Sequence, residues 1–268
     1  MAHTFDLDAY FGRIGLQGSF APTLETLRTL HARHAMTIAF EDLDPLLGRP
    51  VSLDVADLED KMVHGRRGGY CFEQNTLFRA ALEAVGFDVQ AMLARMRWNR
   101  PADLDTARTH MVLMIKLPRG RYIADVGFGG HGLAEPLEFD CSKSQHQARG
   151  HYRLLDLGAV VELQVEIRGE WRPIHRLDPA PQAAVDFEAA NWFTATHPRS
   201  QFRSTLIMGL VGENERYSLA NRVLKTRHAD GSSTTRTLWT PEELGKVIDG
   251  VFGVEAPAPF EEIFARLP

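Results

Sequence analysis

Arg66-Arg67-Gly68-Gly69-Tyr70-Cys71-Phe72-Glu73-Gln74-Asn75 is the stretch where a glycine-rich turn gives way to a helix. After Cys71 the apolar residues Phe78, Ala81, Leu82 and Val85 recur at i, i+3, i+4 and i+7, and Gly86 follows as a C′ residue. Gly68-Gly69 supplies the unusual backbone angles of a tight turn. Cys71 therefore falls in the first helical turn, where unpaired N–H groups and the positive end of the helix dipole favour an anion. Arg66 and Arg67 add positive charge to the same turn. A thiolate held there can attack a carbonyl. The competing reading is a cysteine buried as a small apolar residue.

A helix-borne thiol fits the bulk properties. The chain has 268 residues, two cysteines and a formal charge of −5. That length allows a substantial core. The mildly acidic balance and dispersed Lys and Arg argue against a nucleic-acid surface. Met1 to Ala9 shows no signal-peptide pattern, and no run approaches the ~20 apolar residues of a membrane helix. A cytoplasmic protein with two free thiols is expected, a Cys71–Cys141 disulfide being the alternative. Oligomeric state is not legible, which leaves a homo-oligomer open.

Upstream of Cys71 the pattern is helical. A short amphipathic piece begins at Tyr10, Thr23 caps a helix carrying Leu24, Leu27 and Leu30, and a further helix covers Leu53 to Val63. Downstream, from about Gly86 to Val89, short β-like runs take over: Val89–Met92, Met111–Leu117, Tyr122–Val126, Tyr152–Leu157, Val160–Ile167 and Arg203–Val211. Turn signals between them predict a barrel or a strongly bent antiparallel sheet. The last part mixes a hairpin, Glu215–His228 with Thr234–Trp239 around Asp230-Gly231, with a helix opened by the capping box Thr240-Pro241-Glu242-Glu243. A short helix around Phe260, Ile263 and Phe264 ends the chain.

A nucleophilic cysteine needs a base, and the base an orienting group. Of 11 histidines, His31 and His34 share a helix face at i, i+3. They lack further ligands, so no metal is expected. His146, His151, His175, His197 and His228 lie in polar stretches and are expected to be exposed. His110 opens the most apolar strand, Met111–Leu117, as either a satisfied core residue or a positioned base. Asp125 interrupts the next apolar run, where a carboxylate is costly unless paired. A two-residue turn at Leu117-Pro118 would set His110 directly opposite Asp125. The turn chemistry favours Pro118-Arg119-Gly120, which moves them apart unless a bulge or strong coiling restores contact. The order Cys71, His110, Asp125 is that of papain-like and transglutaminase-like enzymes.

These residues resemble the arylamine N-acetyltransferases. Arg67-Gly68-Gly69-Tyr70-Cys71 with Gln74-Asn75 is similar to the family's cysteine signature. Thr109-His110 is similar to its histidine segment, and Asp125-Val126-Gly127-Phe128-Gly129 to its aspartate segment. Tyr10–Gly15 and Ile38–Leu43 also look like family motifs, with Ala39 where proline is common and Asp42 where asparagine is. Asn191-Trp192-Phe193 and Ser200-Gln201-Phe202 carry the likeness weakly onward.

The resemblance implies an α+β chain with a cysteine-proteinase-like core. Its parts would be an N-terminal helical bundle (1–87), a central antiparallel β-barrel (88–205) and a C-terminal α/β lid (206–268). It implies a ping-pong cycle in which acetyl-CoA loads Cys71 and an arylamine, arylhydrazine or arylhydroxylamine takes the acetyl group. His110 is then the base and Asp125 its partner. Thr106, Gly129 and Gly130 would contact coenzyme A, Phe40 and Phe128 would line the amine pocket, and Arg67 would pair with Glu41. Gly127–Gly132 precedes no amphipathic helix, so it is neither a P-loop nor a Rossmann turn. The alternatives are an amide synthase of the same family, a papain-like cysteine hydrolase, and a non-catalytic binding module.

Overall fold

Helices dominate up to residue 85 in the computed structural model, which describes residues 3–268 other than His131, Arg149 and Ala229. His131 of the glycine-rich turn thus lies outside the described residues. α1 (Leu7–Arg13) is capped by Asp6, and α2 (Leu24–Thr37) by Thr23, whose side chain accepts from Thr26 N. A two-residue strand, β1 (Phe40–Glu41), precedes α3 (Leu43–Leu47). α4 (Val55–Glu59) runs on into a π-helical turn, Asp60–His64, where one longer helix was expected. α5 (Cys71–Val85) stops at Gly86 in the left-handed region, φ 103°.

The barrel sheet is built from β2 (Asp88–Met96), β3 (Arg108–Leu117), β4 (Gly120–Ala124), β5 (Leu137–Glu138), β6 (Gln145–Gln147), β7 (Gly150–Asp156), β8 (Val161–Ile167) and β9 (Glu170–Leu177). Their order is β5-β4-β3-β2-β9-β8-β7-β6, antiparallel throughout and nearly closed. β3 reads as continuously apolar because both its faces are buried. Met111, Leu113 and Ile115 pack on the helices with Leu27, Leu30, Phe72 and Phe78, while Val112 and Met114 face the barrel interior with Ile123 and Leu163.

β9 was not anticipated. Its charges and Pro173 hide it, and a register shift between Leu163 and Gln164 accommodates the proline: Leu163 pairs with His175, Gln164 with Pro173. The shift breaks the two-residue alternation, so that Ile174 and His175 are both buried.

After the barrel come α6 (Ala184–Thr196), also unanticipated, and a second sheet of β10 (Ile207–Val211), β11 (Glu215–Ala220), β12 (Val223–His228) and β13 (Ser233–Thr237). The expected single strand over 215–228 is two strands that turn at Asn221-Arg222. β1 completes this sheet by pairing with β10, Phe40 opposite Gly209. α7 (Pro241–Gly250), capped by Thr240, and α8 (Phe260–Ala265) bury Leu244, Ile248 and Ile263 against it. Among the described residues no helix is long and apolar enough to cross a membrane, and both cysteines are free.

Candidate active site

Cys71, His110 and Asp125 come from three elements. Cys71 is the first residue of α5, 97 % buried by surface exposure of 3 %, and it opens into a cavity of about 1090 Å³. Small-molecule sites commonly span roughly 300–1,000 Å³. A Cβ built on Gly127 would fall 2.7 Å from Cys71 Cα and 2.7 Å from Asn75 Nδ2, so only glycine lets the aspartate segment approach the helix start. Gly68 is equally constrained, a Cβ there lying 2.0 Å from Ala39 O.

The β3–β4 turn takes a third course. Leu117 pairs with Gly120 across Pro118-Arg119, and the ladder ends at Leu113 opposite Ala124. His110 and Asp125 are therefore diagonal neighbours on the interior face, not direct partners. A bulge in β3 leaves Thr109, next to His110, unpaired between the partners of Ala94 and Arg95. His110 Nε2 then donates to Asp125 Oδ2 at 2.7 Å, both side chains buried. Asp125 Oδ1 accepts from Asn75 Nδ2 at 3.0 Å and from Gly127 N at 2.9 Å. Asn75 lies one helical turn beyond Cys71, so α5 presents both residues to the barrel.

Electrostatics follow from this geometry. Burial pulls the His110 pKa down, but the charge and hydrogen bond of Asp125, and then Cys71 beside it, carry it up to about 10. Burial works to raise Asp125, yet the His110 cation and its hydrogen bond hold the carboxyl far below its usual range. The Asp125 carboxylate thus stabilises an imidazolium at His110, next to Cys71.

His175 was expected to be exposed and is fully buried. Its Nε2 lies 3.7 Å from the same Asp125 Oδ2, and its ring is 5.3 Å from that of His110. Burial keeps it below the ordinary histidine range, hence neutral. His110, Asp125 and His175 present ligand-type atoms within 4.8 Å of one another.

His31 and His34 are buried positioning groups. Gln74 donates its Nε2 to Ala39 O at 2.7 Å, so its Oε1 accepts from His34 Nε2–H at 2.6 Å, and His34 Nδ1 accepts from the Tyr10 hydroxyl at 2.8 Å. His31 Nε2 accepts from Asp125 N at 3.4 Å. Burial pulls these imidazoles down to about 4 for His31 and about 3 for His34.

Arg67 does pair with Glu41, Nε to Oε1 at 2.9 Å, in a buried network. It also reaches Asp44, and Lys61 Nζ bridges Asp44 and Glu73 at 2.6 Å each. Glu73 Oε2 accepts from Tyr70 N at 3.0 Å and fixes the residue before the thiol. Arg67 thus faces carboxylates and Arg66 faces solvent. The cation next to the sulfur is His110. Asp42, in asparagine's usual place, accepts from Ile207 N at 2.8 Å, and burial raises its carboxyl well above the usual range, so it is held neutral like an amide.

Phe40, Phe128, Thr106, Gly129 and Gly130 all line the cavity with Cys71. Phe128 stands edge-on to His110 and to Trp98, 6.1 Å in each case. Phe40 packs 6.2 Å from Phe202 in the core while also reaching the cavity. Thr106 Oγ1 donates to Met96 O at 3.0 Å.

Residues 23–260 match the N-acetyltransferase family model. The chain is 37 % identical over 257 residues to an arylamine N-acetyltransferase of Mycolicibacterium smegmatis, covering 93 % of this chain and 92 % of that one. It is 42 % identical over 202 residues to an arylamine N-acetyltransferase / N-hydroxyarylamine O-acetyltransferase of Salmonella typhimurium, covering 75 % and 72 %. The solved structure of the Mycobacterium marinum arylamine N-acetyltransferase in complex with CoA superposes with a TM-score of 0.93 at 35 % identity, over 97 % of this chain and 98 % of that one. Likeness of sequence and of fold runs through nearly the whole chain, which belongs to the arylamine N-acetyltransferase family of acyltransferases.

Proposed function

We propose that the protein transfers an acetyl group from acetyl-CoA to an arylamine, arylhydrazine or arylhydroxylamine by a ping-pong cycle through acetyl-Cys71. The observation that carries this reading is the buried Cys71–His110–Asp125 constellation at the wall of a cavity large enough for an extended donor. The relative's complex with CoA supports the donor.

In the first half-reaction the Cys71 thiolate attacks the acetyl carbonyl, and the C–S bond to coenzyme A breaks. His110 gives its proton to the departing CoA thiolate and becomes neutral. In the second half-reaction the amine attacks acetyl-Cys71, the thioester C–S bond breaks, and His110 takes the amine proton. The ion pair is restored with every proton accounted for. Asp125 holds the imidazole by its Nε2 and leaves Nδ1 for the sulfur. Phe40 and Phe128 supply apolar walls for an aromatic acceptor, and Thr106, Gly129 and Gly130 contact coenzyme A. The division at residues 87/88 and 205/206 and a cytoplasmic setting, which suits two unpaired thiols, belong to the same proposal.

Mass spectrometry tests it. Mixing with acetyl-CoA is expected to add one acetyl group to Cys71, which an arylamine discharges faster than water does. Rapid discharge by water alone would make the protein a hydrolase, and absence of an adduct on the folded protein would rule out the ping-pong cycle.

A further inference from the structure

His175 is a buried ionisable group for which the proposed cycle has no use. The register shift at Pro173 turns it inward on β9, fully buried, and neither ring nitrogen has a hydrogen-bond partner among the described residues. A buried donor left unpaired is costly. An acceptor stands close by: Asp125 Oδ2 lies 3.7 Å from His175 Nε2, just beyond hydrogen-bond length. The rings of His110 and His175 are 5.3 Å apart and 35° from parallel. Oδ1 of Asp125 accepts from Asn75 Nδ2 and Gly127 N, and Oδ2 accepts from His110 alone. A carboxylate oxygen has room for two donors. The fourth acceptor position of Asp125 is therefore open, and His175 stands beside it.

The charges that act on His175 come from three sides. Asp125 follows β4, His110 lies on β3, and Glu162 on β8 is held by Arg176 Nε at 2.6 Å. On β2 the residue opposite is the apolar Met96. Of these groups only His110 changes charge during the proposed cycle. It starts as a cation and ends the first half-reaction neutral. Asp125 is then a buried anion without a counter-charge, the situation in which one more hydrogen bond stabilises it most. His110 must also stay neutral until the amine attacks, and an Asp125 that holds the imidazole at about 10 works against this. A carboxylate shared between two donors draws the proton back less strongly.

We infer that His175 is a positioning residue that closes on Asp125 Oδ2 when His110 loses its proton, and so keeps His110 neutral for the acceptor step. It donates a hydrogen bond through Nε2–H and gives up no proton. The amine proton returns to His110 Nδ1, and His175 opens again. This inference rests on the proposed ping-pong cycle.

NMR of the histidine rings tests it on the unmutated, full-length protein, free and saturated with acetyl-CoA. On acetylation of Cys71 the His175 Nε2–H resonance is expected to move downfield and its titration midpoint to rise by about one unit. An acetylated protein with both unchanged would overturn the closure and leave acetyl transfer standing. Rapid-quench kinetics separates the two half-reactions. His175→Phe keeps a ring but no donor. It is expected to move the pH midpoint of the arylamine step up by about one unit and to leave acetylation by acetyl-CoA within about twofold of the parent. His175→Gln, which sets an amide N–H near the place of Nε2, is expected to restore the midpoint. A packing role alone leaves the midpoint at its parental value in both variants, and that result would also overturn the inference. Absence of an acetyl adduct would end the cycle without deciding the closure. Raising the pH of the free protein until His110 is neutral then makes the same comparison: a downfield shift of His175 Nε2–H upholds the closure, and no shift ends it.

Discussion

His175 Nε2 lies 3.7 Å from Asp125 Oδ2, the oxygen that accepts the 2.7 Å hydrogen bond from His110. Two buried imidazoles thus flank one carboxylate, and the nearer one carries the charge. The His110 cation is one of the influences that keep His175 neutral, after burial, whereas Asp125 favours its protonation. Replacing His110 by alanine removes the repulsion and leaves the attraction. The His175 titration, followed by ring-resonance NMR, is expected to move upward in His110→Ala. An unchanged or lower midpoint would show that burial alone governs His175.

Asp125→Asn removes the charge that carries His110 up to about 10. The imidazole is expected to become neutral at pH 8, and acetylation of Cys71 to slow on the order of 10²- to 10⁴-fold. Stability should change its pH dependence as well. His110 is raised on folding from 6.5, so its contribution is complete below that value and is lost as pH rises through about 10. Asp125 is depressed, so its contribution is present above 3.8 and is lost at lower pH. Urea midpoints across this range are expected to lose their alkaline decline in the variant.

Gly127→Ala tests the close approach of the aspartate segment to α5. Its methyl group would press on Cys71 Cα and Asn75 Nδ2 at 2.7 Å. Overpacking of this kind costs about 1–3 kcal/mol, and it would displace Asp125 through Asn75. Both a lower denaturation midpoint and slower Cys71 acetylation are expected. Parental values for both would mean that the segment can yield.

Asp42→Asn is expected to stabilise the protein at neutral pH. A carboxyl whose pKa is raised on folding takes up a proton relative to the unfolded chain, so stability falls as pH rises above 3.8. Asparagine removes that dependence and keeps the acceptor for Ile207 N. The gain, on the order of 1–3 kcal/mol, should appear in denaturant midpoints at pH 7 and disappear below about pH 4.

Much of this was legible because local chemistry and tertiary role agree. The α5 start is marked by glycines and apolar periodicity, the α2 and α7 starts by capping residues, and β3 by an apolar run that only a doubly buried strand needs. Legibility fails where long-range packing overrides local pattern. The bulge around Pro173 put a polar-looking segment into the barrel and buried His175. Lys61 reads as a surface residue until Asp44 and Glu73 meet it from elsewhere in the chain. The contact of His110 with Asp125 depends on a bulge at Thr109 that no turn rule encodes.

Among the described residues the edge strand Phe40–Glu41 has only the Gly69 bridge beside it until Ile207–Val211 arrives. During synthesis, Phe40 and the Asp42 carboxyl emerge long before the strand that covers them and the amide of Ile207 that Asp42 accepts from. The nascent chain therefore carries its nucleophile for well over a hundred residues with one wall of the cavity missing. Productive chemistry must wait for residues 207–211, and a chain truncated before residue 207 would carry Cys71 without the cavity wall that helps select what it attacks.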